Sequence, residues 1–159
     1  MLSNIMQRAA IAVPAMLALT MLAALLSGPA NGQTSKQKSL YERLGGYEAI
    51  SAVVNDFAGK LFTDRQVGAF FKGMGTDTRK SFIQKNINLV CNVTGGPCKI
   101  ISRPAKTVHG GLGITEADFN VVVNHLVDTL DKFKVPAREK RELLSIVGSL
   151  KPDIVERKS

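Results

Sequence analysis

Apolar residues along most of this chain recur at the spacing of an α-helix. Between residues 47 and 62 they lie three and four positions apart, which puts them on one helical face. These residues are Ile50, Val53, Val54, Phe57 and Leu61. No segment alternates apolar and polar residues for long enough to predict a strand. The pattern therefore predicts an all-α fold.

Capping patterns indicate where two of the helices begin. Ser39 and Glu42 have the form of a capping box and predict a short first helix, which Gly45-Gly46 ends. Thr115 and Asp118 repeat the pattern with Asp in place of Glu, and predict the start of a long helix. We expect that helix to bury Phe119, Val122, Val123, Leu126, Leu130 and Phe133.

A further helix is predicted over residues 77–93. Four-residue steps put three of its side chains on one face. They are Phe82, Asn86 and Val90. Gly95-Gly96-Pro97 ends this helix, because two glycines and a proline cannot continue it. An irregular stretch follows over residues 98–104, and a short helical turn then leads to His109.

The last helix is predicted to run from Pro136 to about residue 155, because proline suits the first helical position. We expect it to bury Leu143, Leu144, Val147, Leu150 and Ile154. Together with the helix before it, it forms a predicted hairpin that faces two helices from the N-terminal half.

The first 32 residues have the form of a signal peptide. Arg8 is followed by an uncharged apolar stretch over residues 9–26 and then by small residues over 27–32. Cleavage is predicted before Asn31 or Gln33, which leaves a short polar segment, residues 33–38. The alternative is an uncleaved anchor in the inner membrane, because 18 apolar residues can span a bilayer. We therefore expect an exported protein, in a bacterial periplasm or anchored at the membrane.

Composition narrows the classes of partner. The chain is 45% hydrophobic, which excludes a disordered chain, and carries a formal net charge of +8. Its Lys and Arg residues are scattered and accompany no nucleic-acid-binding motif, so we expect a solvated basic surface and no nucleic-acid partner.

In an exported protein the even pair Cys91 and Cys98 favours a disulfide, and two separate buried thiols are the alternative.

Candidate chemistry centres on His109. The sequence has no glycine-rich phosphate loop, no H-E-x-x-H and no C-x-x-C. His109 precedes three glycines in four positions, which let the backbone pass close to a flat or bulky group. Apolar side chains that we expect to converge on a shared space near it are Phe57, Phe71, Phe82 and Phe119.

Four motifs in order resemble group 1 truncated haemoglobins. They are the run SLYERLGG at 39–46, Phe70-Phe71, Gly95-Gly96-Pro97 and the segment VHGGLGIT at 108–115. The resemblance covers residues 39–156. It implies a shortened two-over-two helical globin domain that binds haem b.

The resemblance also implies roles for individual residues. His109 would be the proximal ligand of the haem iron, and Phe71 would pack on the haem plane. The distal face would be lined by Phe82, Asn86 and Val90. We also expect Phe119 to contribute to the haem pocket. The candidates for binding the haem propionates are Lys85, Arg103 and Lys106. The alternative for each of them is that it is an ordinary surface charge.

The chain departs from this family at Ala58. Most members have a distal tyrosine there, whose hydroxyl donates a hydrogen bond to bound O₂, and alanine has no donor. Asn86 then becomes the main distal donor, at a position where the family often has glutamine. Its alternative is an amide bonded to the backbone. His125 has no counterpart among the family's ligands and is expected to be structural.

The resemblance implies that diatomic gases, namely O₂, NO and CO, bind at the haem iron. The role would be that of a carrier or sensor, or of a dioxygenase that turns NO into nitrate. The alternative is a haem-free globin-fold module for binding or sensing, anchored to the membrane only if residues 9–26 are retained.

Overall fold

The computed structural model describes residues 37–157, which form helices and turns with one isolated bridge between Thr115 and Arg157. The predicted all-α fold is confirmed. The predicted signal peptide, residues 1–32, lies outside the described residues. Within residues 37–157, every helix is too short or too polar to span a bilayer.

Seven α-helices and one 3-10 turn make up the described part of the chain. The 3-10 turn, Val67–Phe71, lies between the second and third helices. The helices are α1 (Leu40–Arg43), α2 (Gly46–Thr63), α3 (Thr76–Val93), α4 (Ala105–His109), α5 (Glu116–Lys132), α6 (Ala137–Ser149) and α7 (Lys151–Ile154).

Both predicted capping boxes are present. The Ser39 backbone N–H donates to the Glu42 carboxylate at 2.7 Å, and the Glu42 N–H donates to Ser39 Oγ at 3.2 Å. At the start of α5, Thr115 and Asp118 make the same reciprocal pair at 2.9 and 3.1 Å. Each box satisfies backbone donors that a helix N-terminus leaves without an intrahelical partner.

Helix α2 lies at the centre of the packing and contacts α1, α3 and α5. One core cluster joins Ile50 and Val54 of α2 to Ile87 of α3. A second joins α5 to α6 through Leu126, Leu130 and Leu143. Val90 packs against both clusters. These two clusters hold the long helices in the predicted two-over-two arrangement.

The C-terminal helix differs from its prediction. It begins at Ala137, with Pro136 as its N-cap, and ends at Ser149, after which α7 begins at Lys151. Pro152 explains the break, because proline has no N–H and its ring clashes with the carbonyl four residues earlier. Of the residues expected to be buried in this helix, Leu143 is buried and the others are half-buried.

The predicted burial of Phe133 is also wrong. Phe133 is the C-cap of α5 and is 39% exposed. Phe133 follows Leu130 by three residues and therefore continues the apolar spacing of α5. The helix has ended at this point, however, and the chain turns away at Lys134, which has a positive φ of 55°.

A disulfide joins Cys91 to Cys98, as predicted. It connects the end of α3 to the segment that leads to α4. Gly96 lies inside this small loop, and a Cβ there would come within 2.5 Å of the Tyr41 ring and 2.8 Å of Cys91 Sγ. The loop is therefore packed tightly against α1 and leaves no room for a side chain at residue 96.

Removing the disulfide should lower stability moderately. Because the closed loop is short, we expect the variant C91A/C98A to lose about 2–3 kcal/mol in its free energy of unfolding. Urea unfolding of the two proteins measures this difference. Dithiothreitol should destabilise the parent and leave the variant unchanged. Two reactive thiols in the denatured, exported parent would contradict the bridge.

Candidate functional site

His109 is the last residue of α4 and its ring is oriented by the backbone. Its Nδ1 lies 2.8 Å from the carbonyl oxygen of Ala105, one helical turn earlier. When Nδ1 carries the proton and donates to this carbonyl, the lone pair of Nε2 is left available to a metal. The half-buried ring therefore has the orientation of a metal-ligating histidine.

The glycine loop after His109 is held by a carboxylate from the C-terminal segment. The backbone N–H groups of Gly111 and Gly113 each donate to the Glu156 carboxylate at 2.5 Å. Both glycines have positive φ, 82° and 67°, which turns their N–H groups toward the same anion. The Glu156 N–H in turn donates to the Ile114 carbonyl at 2.9 Å. The segment after α7 thus fixes the loop next to His109.

Three aromatic rings form a cluster where α2, α3 and the 3-10 turn meet. Phe62, Phe71 and Phe82 have ring centroids 5.2–5.7 Å apart. The Arg79 guanidinium lies 5.0 Å above the Phe62 ring, a cation–π contact. This cluster brings together two of the predicted site residues and adds Phe62.

Asn86 lies on α3 and is half-buried. Its Nδ2 donates to the backbone carbonyl of Phe82 at 2.9 Å. This is the bond to the backbone that we gave above as the alternative to contact with a bound gas. An amide nitrogen has two N–H donors, so one remains for another acceptor. Ala58, on α2, is completely buried and provides no donor of its own.

The surroundings of His109 fit a flat apolar cofactor better than a bare metal ion. Among the described residues, no group of three or more His, Cys, Asp or Glu side chains is arranged to hold a metal. A metal bound through His109 alone would need its other ligands from a cofactor. The apolar side chains of Val108 and Leu112, one residue before and three residues after His109, are exposed. Haem supplies four ligands and a large apolar surface, so the residues present fit it.

A family model described as bacterial-like globin matches residues 39–156. The group 1 truncated hemoglobin of Mycolicibacterium paratuberculosis is 35% identical over 116 residues, which cover 73% of this chain and 83% of that protein. The chain belongs to the bacterial-like globin family. The predicted resemblance to truncated haemoglobins is confirmed.

Solved structures agree with this globin's fold. A truncated hemoglobin from Tetrahymena pyriformis in its Fe(III) form has a TM-score of 0.69 and 24% identity, with 76% of this chain and all of that chain covered. The 2/2 hemoglobin from a Synechococcus species has a TM-score of 0.68 and 28% identity with the same coverage, and was solved with covalently attached haem. The predicted two-over-two fold is therefore confirmed.

Two further aromatic residues of this globin lie outside the Phe62, Phe71 and Phe82 ring cluster. Phe57 packs against the α5–α6 core, and Phe119 is 7% exposed with Lys151 Nζ 5.8 Å from its ring. Neither has a ring contact with Phe71 or Phe82 in the described part of the chain, and the expected convergence of these rings on a shared apolar space stays a prediction. Phe62 follows Phe57 by five residues, which corresponds to a net rotation of about 140° around the helix axis. Phe57 and Phe62 therefore leave α2 on different faces.

The three candidate cations for the haem propionates are all exposed. Lys85 is on α3, Arg103 precedes α4 and Lys106 is in α4. Lys85 and Lys106 therefore lie on the helices that carry Asn86 and His109, and Arg103 lies two residues before the second of these helices. Both predicted roles, propionate binding and ordinary surface charge, stay open for all three.

His125 makes a structural contact in this globin. Its Nε2 lies 2.8 Å from Asp64 Oδ2, while Asp64 Oδ1 accepts the backbone N–H groups of Gln66 and Val67. These hydrogen bonds, that of His125 foremost, lower the pKa of the Asp64 carboxyl. The pair ties α5 to the turn after α2. An open pocket of about 410 Å³ beside the pair does not include His109.

The Glu156 contact predicts a pH-dependent contribution to stability. The two glycine N–H groups lower the pKa of the Glu156 carboxyl. A carboxyl group whose pKa is lower in the folded state than in the unfolded state stabilises the fold at pH values above its unfolded-state pKa. This stabilisation is lost as the pH falls through the folded-state pKa. We expect Glu156→Gln to lower the free energy of unfolding at pH 7, with a difference from the parent that shrinks as the pH falls below the usual range of a carboxyl group.

Urea unfolding over a pH series measures this effect. Asp153→Asn is the matched control, because it removes an exposed carboxylate from the same C-terminal segment. The account would be wrong if the two variants had the same pH dependence.

Proposed function

We propose that this globin binds haem b through His109 and binds O₂, NO and CO at the iron. The observation that supports this most directly is the hydrogen bond from His109 Nδ1 to the Ala105 carbonyl, which leaves Nε2 as the metal-binding nitrogen. Family membership supports the same conclusion.

Each side chain has a definite task in this proposal. Bound haem supplies the gas-binding and redox chemistry. His109 is the axial ligand, and the apolar side chains exclude water from the pocket. These apolar side chains are Phe62, Phe71, Phe82, Val90 and Phe119. Asn86 donates a hydrogen bond to a bound gas, and Lys85, Arg103 and Lys106 bind the propionates.

The buried Ala58 favours a role other than tight O₂ storage. A hydroxyl at this position would hold bound O₂ by a hydrogen bond, and alanine leaves that contribution to Asn86 alone. Weak retention of O₂ suits a sensor, a carrier that releases O₂ readily, or a dioxygenase that turns NO into nitrate.

We propose further that the globin is exported, to a bacterial periplasm or to the membrane. The signal-like sequence of residues 1–32 supports export. The disulfide supports it independently, because disulfides persist in oxidising compartments and are rare in the cytosol.

Spectra of the exported protein test the proposal. The ferrous form should give distinct Soret bands with CO, NO and O₂, and the O₂ form should convert NO to nitrate if it acts as a dioxygenase. Mass spectrometry should find an N-terminus at Asn31 or Gln33. Purified protein without haem that neither takes up haemin nor binds CO would favour the haem-free module instead.

A further inference from the structure

Helix α4, which ends in His109, is too short to be stable on its own. None of its five described residues is buried, and its N-cap, Pro104, gives no side-chain hydrogen bond to the helix. Isolated helices of this length do not persist in water, because forming the first turn fixes several residues for a single hydrogen bond. The orientation of His109 therefore depends on what packs against α4 and on the loop that follows it.

The C-terminal segment, residues 151–157, contacts both. Helix α7 packs against α4. After α7, the backbone N–H groups of Glu156 and Arg157 both donate to the carbonyl of Ile114, at 2.9 and 3.3 Å. A parallel bridge joins Arg157 to Thr115, the N-cap of α5. The segment thus follows the chain from α4 to the start of α5.

The segment is itself anchored on the packed core. Lys151, the first residue of α7, forms an ion pair with Glu116, the first residue of α5. Its ammonium group also lies 5.8 Å from the ring of the buried Phe119. Helix α5 belongs to the second core cluster through Leu126 and Leu130. The C-terminal segment therefore connects this core cluster to the short helix that carries the proximal histidine.

Main-chain hydrogen bonds carry this support from the loop to His109. The N–H of Leu112 donates to the carbonyl of His109 at 3.2 Å, and the N–H of Gly110 donates to the carbonyl of Lys106 at 3.0 Å. Leu112 lies between the two glycines whose N–H groups the Glu156 carboxylate accepts. Without that carboxylate, the two glycines could adopt other conformations, and the end of α4 would move with them.

We propose that Glu156 is a positioning residue for the bond between His109 and the haem iron. Its carboxylate fixes the glycine loop, the loop fixes the end of α4, and α4 sets the direction in which His109 Nε2 points. The proposal rests on haem binding through His109, proposed above. In addition to the Ala105 carbonyl, the C-terminal segment thus determines the strength of the proximal bond.

Glu156→Gln tests this role with little change in shape. The amide has one oxygen, so it accepts only one of the two glycine N–H groups, and its NH₂ group faces the other donor. Glu156 is exposed, so the variant should fold. Resonance Raman spectra of the ferrous, gas-free haem protein should show the iron–histidine stretch at lower frequency. Haem transfer to apomyoglobin should be about fivefold faster, less than the roughly 10–100-fold effect of a direct partner of a metal-bound histidine, because Glu156 acts through the loop.

Glu139→Gln is the matched control. Glu139 is a carboxylate of α6 that accepts a hydrogen bond from Arg43 of α1 at 2.9 Å. Its replacement should lower stability, because it removes a charge-assisted hydrogen bond, and should leave the iron–histidine stretch and the haem-loss rate unchanged. An unchanged stretch and haem-loss rate in Glu156→Gln would overturn the proposal. Equal changes in the two variants would also overturn it, because they would reflect the loss of stability alone.

A measurement on the full-length apoprotein works without haem. In the parent, ¹⁵N NMR should show the His109 ring proton mainly on Nδ1, as the hydrogen bond to Ala105 requires. In Glu156→Gln the proton should move in part to Nε2, and the two glycine amides should exchange with solvent faster through local opening. Neither should change in Glu139→Gln. Failure of the parent to bind haem would overturn the proposed function, whereas an unchanged His109 tautomer in Glu156→Gln would overturn the positioning role itself.

Discussion

Replacing His109 by alanine is expected to remove haem almost completely. Loss of an orienting partner of a metal-bound histidine typically costs 10–100-fold in metal affinity. Loss of the ligand itself should therefore speed haem dissociation by more than about a hundredfold. His109 is held by Ala105 in an orientation that leaves Nε2 to the iron, and no other described histidine is so placed.

Transfer of haem to excess apomyoglobin measures this dissociation rate. His125→Ala is the control, because His125 bonds to Asp64 and not to the cofactor in this account. It should lose some stability and retain haem. An unchanged Soret band in the His109→Ala protein would show that another residue binds the iron.

A tyrosine in place of Ala58 should slow O₂ release roughly ten- to a hundredfold. The new hydroxyl would donate to a polarised, partly anionic bound O₂, a contact worth about 1.5–3 kcal/mol. Each 1.4 kcal/mol corresponds to about a tenfold change. Release of CO depends less on hydrogen bonding and should change less. Flash photolysis and stopped-flow displacement measure the two off-rates.

Ala58→Phe is the matched control for this substitution. Ala58 is completely buried, so a large side chain perturbs packing whatever its polarity. Phenylalanine adds the ring without the hydroxyl, and the difference between the two variants isolates the hydrogen bond. Equal O₂ off-rates in both, together with no effect of Asn86→Ala in the parent, would refute the distal model.

Local patterns were enough to predict the helices that carry the site. The apolar spacing placed α2 and α3 to within one residue at each end, and both capping boxes were visible as short motifs. The break at Leu150 was missed, although Pro152 is a local signal that should have ended the helix. Such features depend on residues within one turn of each other, which is why sequence alone reveals them.

The residues that were missed depend on contacts between distant parts of the chain. Phe62 joins Phe71 and Phe82 only because α2, the 3-10 turn and α3 meet. The one local feature that could have identified Phe62 as a site residue was its position at the end of α2, one residue before the last residue of the helix. Glu156 holds Gly111 and Gly113 from 45 and 43 residues away, respectively. Glycines at 111 and 113 signalled an unusual loop, but nothing near them identified the carboxylate that binds it.

The most direct test of haem binding through His109 is a titration of the purified apoprotein with haemin. We expect a Soret band that saturates at one haem per chain, with a CO-bound ferrous spectrum typical of histidine ligation. In His109→Ala the same titration should give no saturable band. Failure of the parent protein to develop the band, or an equal band in the variant, would contradict the account.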